Sequence, residues 1–224
     1  MKKNALAILA LLLALSSSSF AQTHEAGGLL GVGFEQKIVR NFHFSTKGEV
    51  RFNGNFTHFN RFRLIGSFDY AFWQKRFKLT AGGSYLLYNQ EDYWENRGRV
   101  FASLGYTQKI RQFALSYRVR VQCTFYDEVH GHHKFTPKTY LRNRLQLEYK
   151  FVDKPVKLYA SGEFFLRLYK KSNYFIDEVR TIVGVVYKID AKNSLDFFFR
   201  ANNEVQVANP QNIYYIGISY TFEN

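Results

Sequence analysis

The chain has 224 residues, three prolines, one cysteine (Cys123) and a formal net charge of +13. A single cysteine excludes an internal disulfide, so an exported chain of this kind needs another source of stability, which a large hydrogen-bonded sheet would provide. The basic charge suggests nucleic acid as a partner, but the Lys and Arg residues are spread along the chain among carboxylates and do not gather in one patch. We therefore predict no nucleic-acid partner.

The first 21 residues have the three parts of a secretory signal peptide. Lys2 and Lys3 form a basic start, residues 5–15 form an apolar run, and small residues lead up to Ala21. The apolar run is too short to cross a bilayer as a helix. We expect cleavage after Ala21, which would leave residues 22–224 as one domain with a formal charge of +11.

Beyond this leader, the dominant pattern is an alternation of apolar and polar residues with a period of two. In the segment 113–125, every odd position is apolar or cysteine and every even position is polar or small. A strand places the two sets on opposite faces, whereas a helix would scatter Arg118 and Arg120 around its circumference. Such segments predict eleven strands, over 28–37, 42–53, 59–72, 77–88, 97–107, 112–126, 139–151, 156–168, 178–188, 194–204 and 212–222.

Single-chain barrels of bacterial outer membranes carry even numbers of strands. Because the segment 28–37 has the weakest alternation, we predict an all-β, antiparallel up-and-down barrel of ten or twelve strands. The connections alternate in length, which is typical of outer-membrane barrels with short turns in the periplasm. Tight turns are predicted at 73–76, 108–111, 152–155 and 190–193, and longer connections at 89–96, 127–137, 170–177 and 205–211.

The apolar face of the strands is predicted to be the outer face, in contact with outer-membrane lipids. A lumen wider than that of an eight-stranded barrel is hard to fill with apolar side chains. Strands of about 11 to 14 residues also suit a tilted crossing of the hydrocarbon layer. A soluble barrel with reversed faces is the alternative. Aromatic residues near predicted strand ends, which would form interfacial girdles, include Phe72, Trp73, Tyr88, Trp94, Tyr126 and Tyr149.

The C-terminal strand resembles the signal that the barrel-assembly machinery reads. Gly217 is followed at +3 and +5 by the aromatic residues Tyr220 and Phe222. The departure from this signal is that Glu223 and Asn224 follow the aromatic residue, which is usually the last one. We predict transient binding to that machinery during biogenesis.

Three segments resemble a bacterial family called domain of unknown function 2490. They are Tyr117-Arg118-Val119-Arg120, 140–145 (YLRNRL) and 158–165 (LYASGEFF), and the likeness extends over nearly the whole mature chain. The resemblance implies a barrel in the outer membrane of Gram-negative bacteria, common in the Bacteroidetes. It implies no activity and no catalytic residue.

Charged residues on the polar register are predicted to line the lumen. Arginine predominates over carboxylate, and guanidinium groups on neighbouring strands can bridge two carboxylates and fill a narrow barrel. The alternative is a porin-like, positively biased pore that favours anions. The predicted lumen residues are Glu49, Arg51, Arg61, Arg63, Asp69, Arg97, Arg99, Arg118, Arg120, Arg142, Arg144, Glu148, Glu163, Arg167, Arg180, Asp196 and Arg200.

Sequence features for catalysis or cofactor binding are sparse. His130, His132 and His133 are weak metal candidates in the longest predicted loop, with no cysteine or carboxylate pair to complete a tetrahedral site. No Ser and His pair lies on adjacent predicted strands at matching height, which disfavours a lipid-modifying enzyme. We predict no cofactor and no catalytic residue. The first hypothesis is a structural or envelope-maintenance barrel; an anion-leaning pore is second and a lipid-modifying enzyme third, with the oligomeric state left open.

Overall fold

In the computed structural model, which describes residues 23–90, 92–126, 137–169, 176–206 and 210–224, eleven strands form one closed barrel. Consecutive strands are neighbours throughout. The prediction of an all-β up-and-down barrel is therefore confirmed, while the predicted leader 1–21 lies outside the described residues. No helix within those residues is long and apolar enough to cross a membrane. The strands are β1 (Thr23–Val39), β2 (Phe42–Asn53), β3 (His58–Phe72), β4 (Phe77–Asn89), β5 (Trp94–Ile110), β6 (Phe113–Tyr126), β7 (Lys138–Lys150), β8 (Val156–Arg167), β9 (Ile176–Lys188), β10 (Asn193–Glu204) and β11 (Gln211–Glu223).

The prediction of ten or twelve strands is wrong, because the barrel closes between two parallel strands. β1 pairs with β11 in parallel, from Thr23 beside Gln211 to Glu35 beside Glu223. An odd number of consecutive antiparallel strands leaves the first and last strands running in the same direction, and a parallel ladder still pairs their backbone groups. The even-number rule presupposes an antiparallel seam. The weakly patterned segment 28–37 lies inside β1, which has 17 residues.

The last two residues of the chain extend this parallel seam. The backbone N–H of Asn224 donates to the carbonyl of Glu35 at 2.8 Å, and the N–H of Lys37 donates to the carbonyl of Asn224 at 3.1 Å. Asn224 Nδ2 also donates to Gln36 Oε1 at 2.9 Å. The residues that follow the terminal aromatic Phe222 therefore fix the end of β11 against β1.

Cysteine cross-linking should detect the parallel seam. Leu30 and Ile218 are register partners with exposed side chains, so L30C/I218C in a C123S background should be joined efficiently by a short bis-thiol reagent. The control L30C/Y214C displaces one thiol by four residues, or about 13 Å along the strand, and should react poorly. A change in gel mobility after denaturation detects the covalent loop that the cross-link between positions 30 and 218 closes. Equal cross-linking of both pairs would contradict the parallel register.

The connections divide into two rims of different character. The short-turn rim holds the strand ends that are joined by 40–41, 73–76, 111–112, 151–155 and 189–192. The long-loop rim holds the strand ends that are joined by 54–57, 90–93, 127–137, 168–175 and 205–210, of which 91, 127–136, 170–175 and 207–209 lie outside the described residues. At the short turn 189–192, the backbone N–H groups of Lys192 and Asn193 donate to the Asp190 carboxylate at 2.7 and 2.8 Å. These hydrogen bonds lower the pKa of Asp190. Thr23 and Asn224 lie on opposite rims because the number of strands is odd.

The outer face of the barrel is apolar between the two rims. Exposed aliphatic side chains such as Val32, Leu104 and Ile216 form its middle band. The outward register of the strands carries no Asp, Glu, Lys or Arg apart from the position of Asp177, which lies at the β8–β9 bulge and is buried. Polar residues on this face bond locally, as where Tyr117 Oη donates to Asn143 Oδ1 at 2.8 Å. Aromatic pairs flank the band near the short-turn rim at Tyr70–Phe72, Phe72–Phe77, Phe77–Tyr106 and Phe113–Tyr149, and near the long-loop rim at Phe52–Phe59, Phe59–Trp94 and Phe199–Tyr214.

Two of the predicted girdle residues lie inside the barrel instead. The Tyr88 and Tyr126 rings contact the guanidinium of Arg97, whose Cζ lies 3.8 and 4.6 Å from their centroids. Their assignment to a girdle is wrong because each shares the inward register of its strand, Tyr88 with Leu86 and Tyr126 with Thr124. Proximity to a strand end does not determine which face a side chain joins.

Candidate functional site

The structure places the predicted lumen residues on the inward register of the strands, where they contact one another, contact other inward side chains or line internal cavities. The pairing brings like charges face to face. Arg51 lies opposite Arg61, and Arg118 and Arg120 of β6 lie opposite Arg144 and Arg142 of β7. Like charges directly opposite each other destabilise a sheet. The lumen therefore needs carboxylates to bridge these rows.

Glu163 on β8 is the principal bridge. Its Oε1 lies 2.7 Å from Nη2 of Arg118, and its Oε2 lies 2.7 Å from Nη2 of Arg142 and 3.9 Å from Nη1 of Arg180. Only 3% of Glu163 is exposed. One buried carboxylate thus holds arginines from three strands, β6, β7 and β9, while Arg142 Nη1 also donates to Gln122 Oε1 at 2.6 Å.

Three further carboxylates pair with an arginine two residues later on the same strand. Arg51 Nε donates to Glu49 Oε1 at 2.7 Å, and Arg97 Nε donates to Glu95 Oε1 at 2.8 Å. Arg180 Nη2 donates in the same way to Glu178 Oε1 at 2.7 Å. Residues i and i+2 share one face of a strand. Glu95 and Glu178 were absent from the predicted set, although the repeated spacing Glu-x-Arg at 49–51, 95–97 and 178–180 would have identified them.

Buried aromatic rings separate some of the arginines. The Tyr215 ring has Arg51 Cζ at 5.6 Å and Arg200 Cζ at 5.0 Å. The Phe165 ring has Arg142 Cζ at 4.2 Å and Arg180 Cζ at 4.5 Å. Aromatic faces attract guanidinium groups without adding net charge, so these rings lower the repulsion inside the lumen.

Sequence reasoning missed these rings because it assigned aromatic residues to the outer face. The parity of each strand carries the signal that places them inside. Phe165 shares its register with Glu163 and Arg167, and Phe101 shares its register with Arg97 and Arg99. Both rings are buried.

The other predicted charges form looser pairs nearer the rims. Arg167 Nη1 lies 3.8 Å from Asp177 Oδ2, and Glu148 Oε2 lies 3.4 Å from Lys157 Nζ. Tyr159 Oη contacts both carboxylate oxygens of Asp196 at 3.0 Å. Asp69 lies 4.0 Å from Lys78 Nζ and accepts a hydrogen bond from Thr80.

Arginine pairing in the lumen is incomplete. Within the part of the chain that the structure describes, several arginines have no carboxylate oxygen within 4.0 Å, and several buried guanidinium nitrogens have no hydrogen-bond partner. The arginines without a carboxylate are Arg61, Arg63, Arg99, Arg120, Arg144 and Arg200. The partnerless nitrogens include Arg51 Nη1, Arg61 Nε, Arg63 Nε, Arg120 Nε, and Nε and Nη2 of Arg200.

Within the described residues, two cavities lie inside the barrel. The long-loop cavity, about 410 Å³, reaches strand ends at the long-loop rim such as Asn53 and Gln211, and the short-turn cavity, about 400 Å³, includes Lys78 and Lys109 near the opposite rim. The two share no lining residue. The side chains of Leu29, Glu49, Phe101 and Glu163 are buried and line neither cavity.

The predicted assembly-signal residues lie along β11 at the seam. Gly217 faces inward beneath the Phe198 ring, where an added Cβ would lie 2.2 Å from Phe198 Cζ. Phe222 faces outward and stacks on Phe34 with ring centroids 6.1 Å apart, and Tyr220 Oη donates to Asn193 Oδ1. Recognition of these residues by the assembly machinery stays a prediction.

No group of three or more His, Cys, Asp or Glu residues that could hold a metal occurs in the described ranges. The weak metal candidates His130, His132 and His133 lie outside those ranges. Cys123 is a free thiol on the outward register, where Thr139 Oγ1 contacts its Sγ at 3.6 Å.

Comparisons with known proteins identify the family of this chain. Residues 27–221 match the family model described as Protein of unknown function (DUF2490). No curated protein matches the chain. Among solved structures, the barrel is similar to "Outer-membrane expressed OmpT of Vibrio cholerae", with 14% identity and a TM-score of 0.38. The match covers 73% of this chain and 53% of that protein, so the chain spans about half of its length.

Proposed function

The chain belongs to the family described as Protein of unknown function (DUF2490), and we propose that it is a small outer-membrane β-barrel of Gram-negative bacteria whose lumen is closed at mid-height. Its role in this proposal is structural, in maintenance of the envelope. The observation that carries the proposal is the division of the strands into an uncharged apolar outer face and a charged, packed inner face.

The outer face supports a location in lipid. Its outward register, without exposed charged residues, and its flanking aromatic pairs match the apolar band and interfacial girdles of transmembrane barrels. The strands have 12 to 17 residues, whereas a tilted strand needs about 9 to 11 to cross the hydrocarbon layer. We place the short-turn rim and the C-terminus in the periplasm, in accord with the usual arrangement of such barrels.

The filled middle of the lumen supports a closed barrel. Glu163 and Phe101 are buried and line neither cavity, and Glu163 pairs with Arg118 of the short-turn cavity and with Arg142 of the long-loop cavity. The alternative is an anion-leaning pore, and the surplus of unpaired arginines favours it. The two functions differ in whether these side chains leave a continuous path.

Detergent extraction and gel mobility test the membrane location. We expect the protein in the outer-membrane fraction, released only by detergent, with a mobility on unheated gels that changes after boiling. Intact barrels resist dissociation in detergent because all their backbone groups pair within the closed sheet. Recovery in the periplasmic fraction without detergent would instead support a soluble barrel with the same topology.

Planar-bilayer recording separates the closed barrel from the pore. We expect no stable conductance steps from the purified protein at neutral pH. The variant F101A/F165A, which removes two rings from the packed middle, should produce steps with anion selectivity because arginines then line a wider path. Stable anion-selective steps from the unmodified protein would refute closure and establish the pore.

A further inference from the structure

The long-loop cavity carries more positive than negative charge. Seven arginines line it together with two carboxylates, Glu178 and Glu204. Three other carboxylates, Glu49, Glu95 and Glu163, pair with lining arginines from outside the lining. Counting all five carboxylates, a surplus of at least two positive charges remains. The lining arginines are Arg51, Arg61, Arg63, Arg97, Arg99, Arg142 and Arg180.

Several of these lining arginines also have buried nitrogens without hydrogen-bond partners. Arg51 is 2% exposed and its Nη1 has no hydrogen-bond partner, and the Nε atoms of Arg61 and Arg63 are buried without one. Arg99 has no carboxylate partner; its Nε donates to the hydroxyl of Thr124 at 3.0 Å. Guanidinium groups stay protonated in proteins, and burying such a cation without a counterion costs several kcal/mol. An anion in the cavity would offset that cost.

The chemistry of the lining selects the kind of anion. Guanidinium groups bind phosphate and carboxylate oxygens in pairs of parallel hydrogen bonds. The surplus of two charges corresponds to one phosphate group, which carries about −1.5 to −2 at neutral pH. At about 410 Å³, the cavity also has the size of a small-molecule site.

We propose that the long-loop cavity binds a small soluble anion that bears a phosphate group, held chiefly by Arg63 and Arg99. The phosphate of a lipid headgroup has the same chemistry, but lipids contact the outside of the strand wall, whereas this cavity lies inside it and reaches the long-loop rim through Asn53, Glu204 and Gln211. The ligand therefore enters from the aqueous side. Binding in this cavity does not require the barrel to be closed at mid-height.

Titration with inorganic phosphate and pyrophosphate tests the site. The full barrel is purified in a maltoside detergent free of phospholipid, and calorimetry and the thermal unfolding midpoint are measured at constant ionic strength with chloride as reference. We expect saturable binding, tighter for pyrophosphate, and a rise in the midpoint, because a ligand that binds only the folded state stabilises it. R63Q/R99Q should weaken binding at least about tenfold, since it removes two charged donors.

The matched control is R120Q/R144Q, which removes two arginines that also lack a carboxylate partner but line the short-turn cavity. It should retain the affinity of the unmodified protein. Loss of an unpaired buried cation should not lower stability, so both variants are expected to fold. Should R63Q/R99Q fail to fold, R63K/R99K keeps both charges and should still weaken binding, because an ammonium group lacks the planar pair of donors.

Three results would overturn the proposal. The first is the absence of saturable binding, with phosphate acting no differently from chloride. The second is an equal loss of affinity in the two double variants, which would indicate a diffuse electrostatic effect of the whole lumen. The third is binding of vesicles of a phosphorylated lipid at phosphate concentrations where free phosphate and pyrophosphate do not bind, which would assign the site to a headgroup.

Discussion

Replacement of Glu163 by glutamine, E163Q, should lower the free energy of unfolding by about 3 to 5 kcal/mol, the usual cost of removing one partner from a buried ion pair. The volume of the side chain hardly changes, so packing is preserved. Arg118 and Arg142 lose the one carboxylate within reach of each, and the facing rows of arginines on β6 and β7 then repel each other without a bridge. Urea titration of the folded barrel in detergent measures the change.

The control for this variant is E148Q. Glu148 lies 3.4 Å from Lys157 Nζ, and 24% and 38% of the two side chains are exposed. A pair with that exposure contributes about 0 to 1 kcal/mol. The second-site change R118Q should recover part of the stability that E163Q loses, because it removes one of the cations left without a counterion. Equal effects of E163Q and E148Q would show that Glu163 does not hold the lumen together.

Replacement of Gly82 by alanine, G82A, should destabilise the barrel by about 1 to 3 kcal/mol, the usual cost of overpacking. An added Cβ would lie 2.4 Å from the carbonyl oxygen of Gly66 and 2.8 Å from Cζ of Phe101. The first contact is with backbone in the neighbouring strand, which cannot rotate away. Relief requires a shift of β3 against β4 or displacement of the Phe101 ring from the packed middle of the lumen.

The control for G82A is G98A on the adjacent strand β5. Nothing lies within 4 Å of a Cβ added at Gly98, and alanine is favoured over glycine in a strand by about 0.5 to 1 kcal/mol. G98A should therefore raise the unfolding midpoint slightly while G82A lowers it. If both substitutions shift stability in the same direction, steric crowding at Gly82 is not the reason that glycine occupies this position.

The positions of the strands could be predicted closely from the alternation of apolar and polar residues. All eleven predicted segments overlap observed strands, and several bounds agree to within one residue, as at 42–53 for β2 and 156–168 for β8. Alternation with a period of two is a property of each strand by itself, so it can be recognised without knowing which strands pair with it. The predicted strand 97–107 begins three residues later than β5, whose observed start at Trp94 brings Glu95 beside Arg97.

The number of strands could not be derived in the same way. The sequence shows eleven strand-like segments, but the general rule that bacterial outer-membrane barrels have even numbers of strands favoured ten or twelve. The closing pair, β1 with β11, joins residues about 190 positions apart, such as Gly28 and Ile216. No local pattern distinguishes a parallel partner from an antiparallel one. The closing pair was therefore decided by the tertiary structure.

The sequence by itself determined which residues share a face of each strand, and it placed most of the charged residues on one of the two faces, because alternation assigns each strand position to one face. It also determined that arginine exceeds carboxylate there. Only the tertiary structure decided which arginines share Glu163, which stack on Tyr215 or Phe165, and which, like Arg63 and Arg99, have no counterion. Those contacts depend on the stagger between strands and on side-chain length across the lumen, which the order of residues along a single strand does not contain.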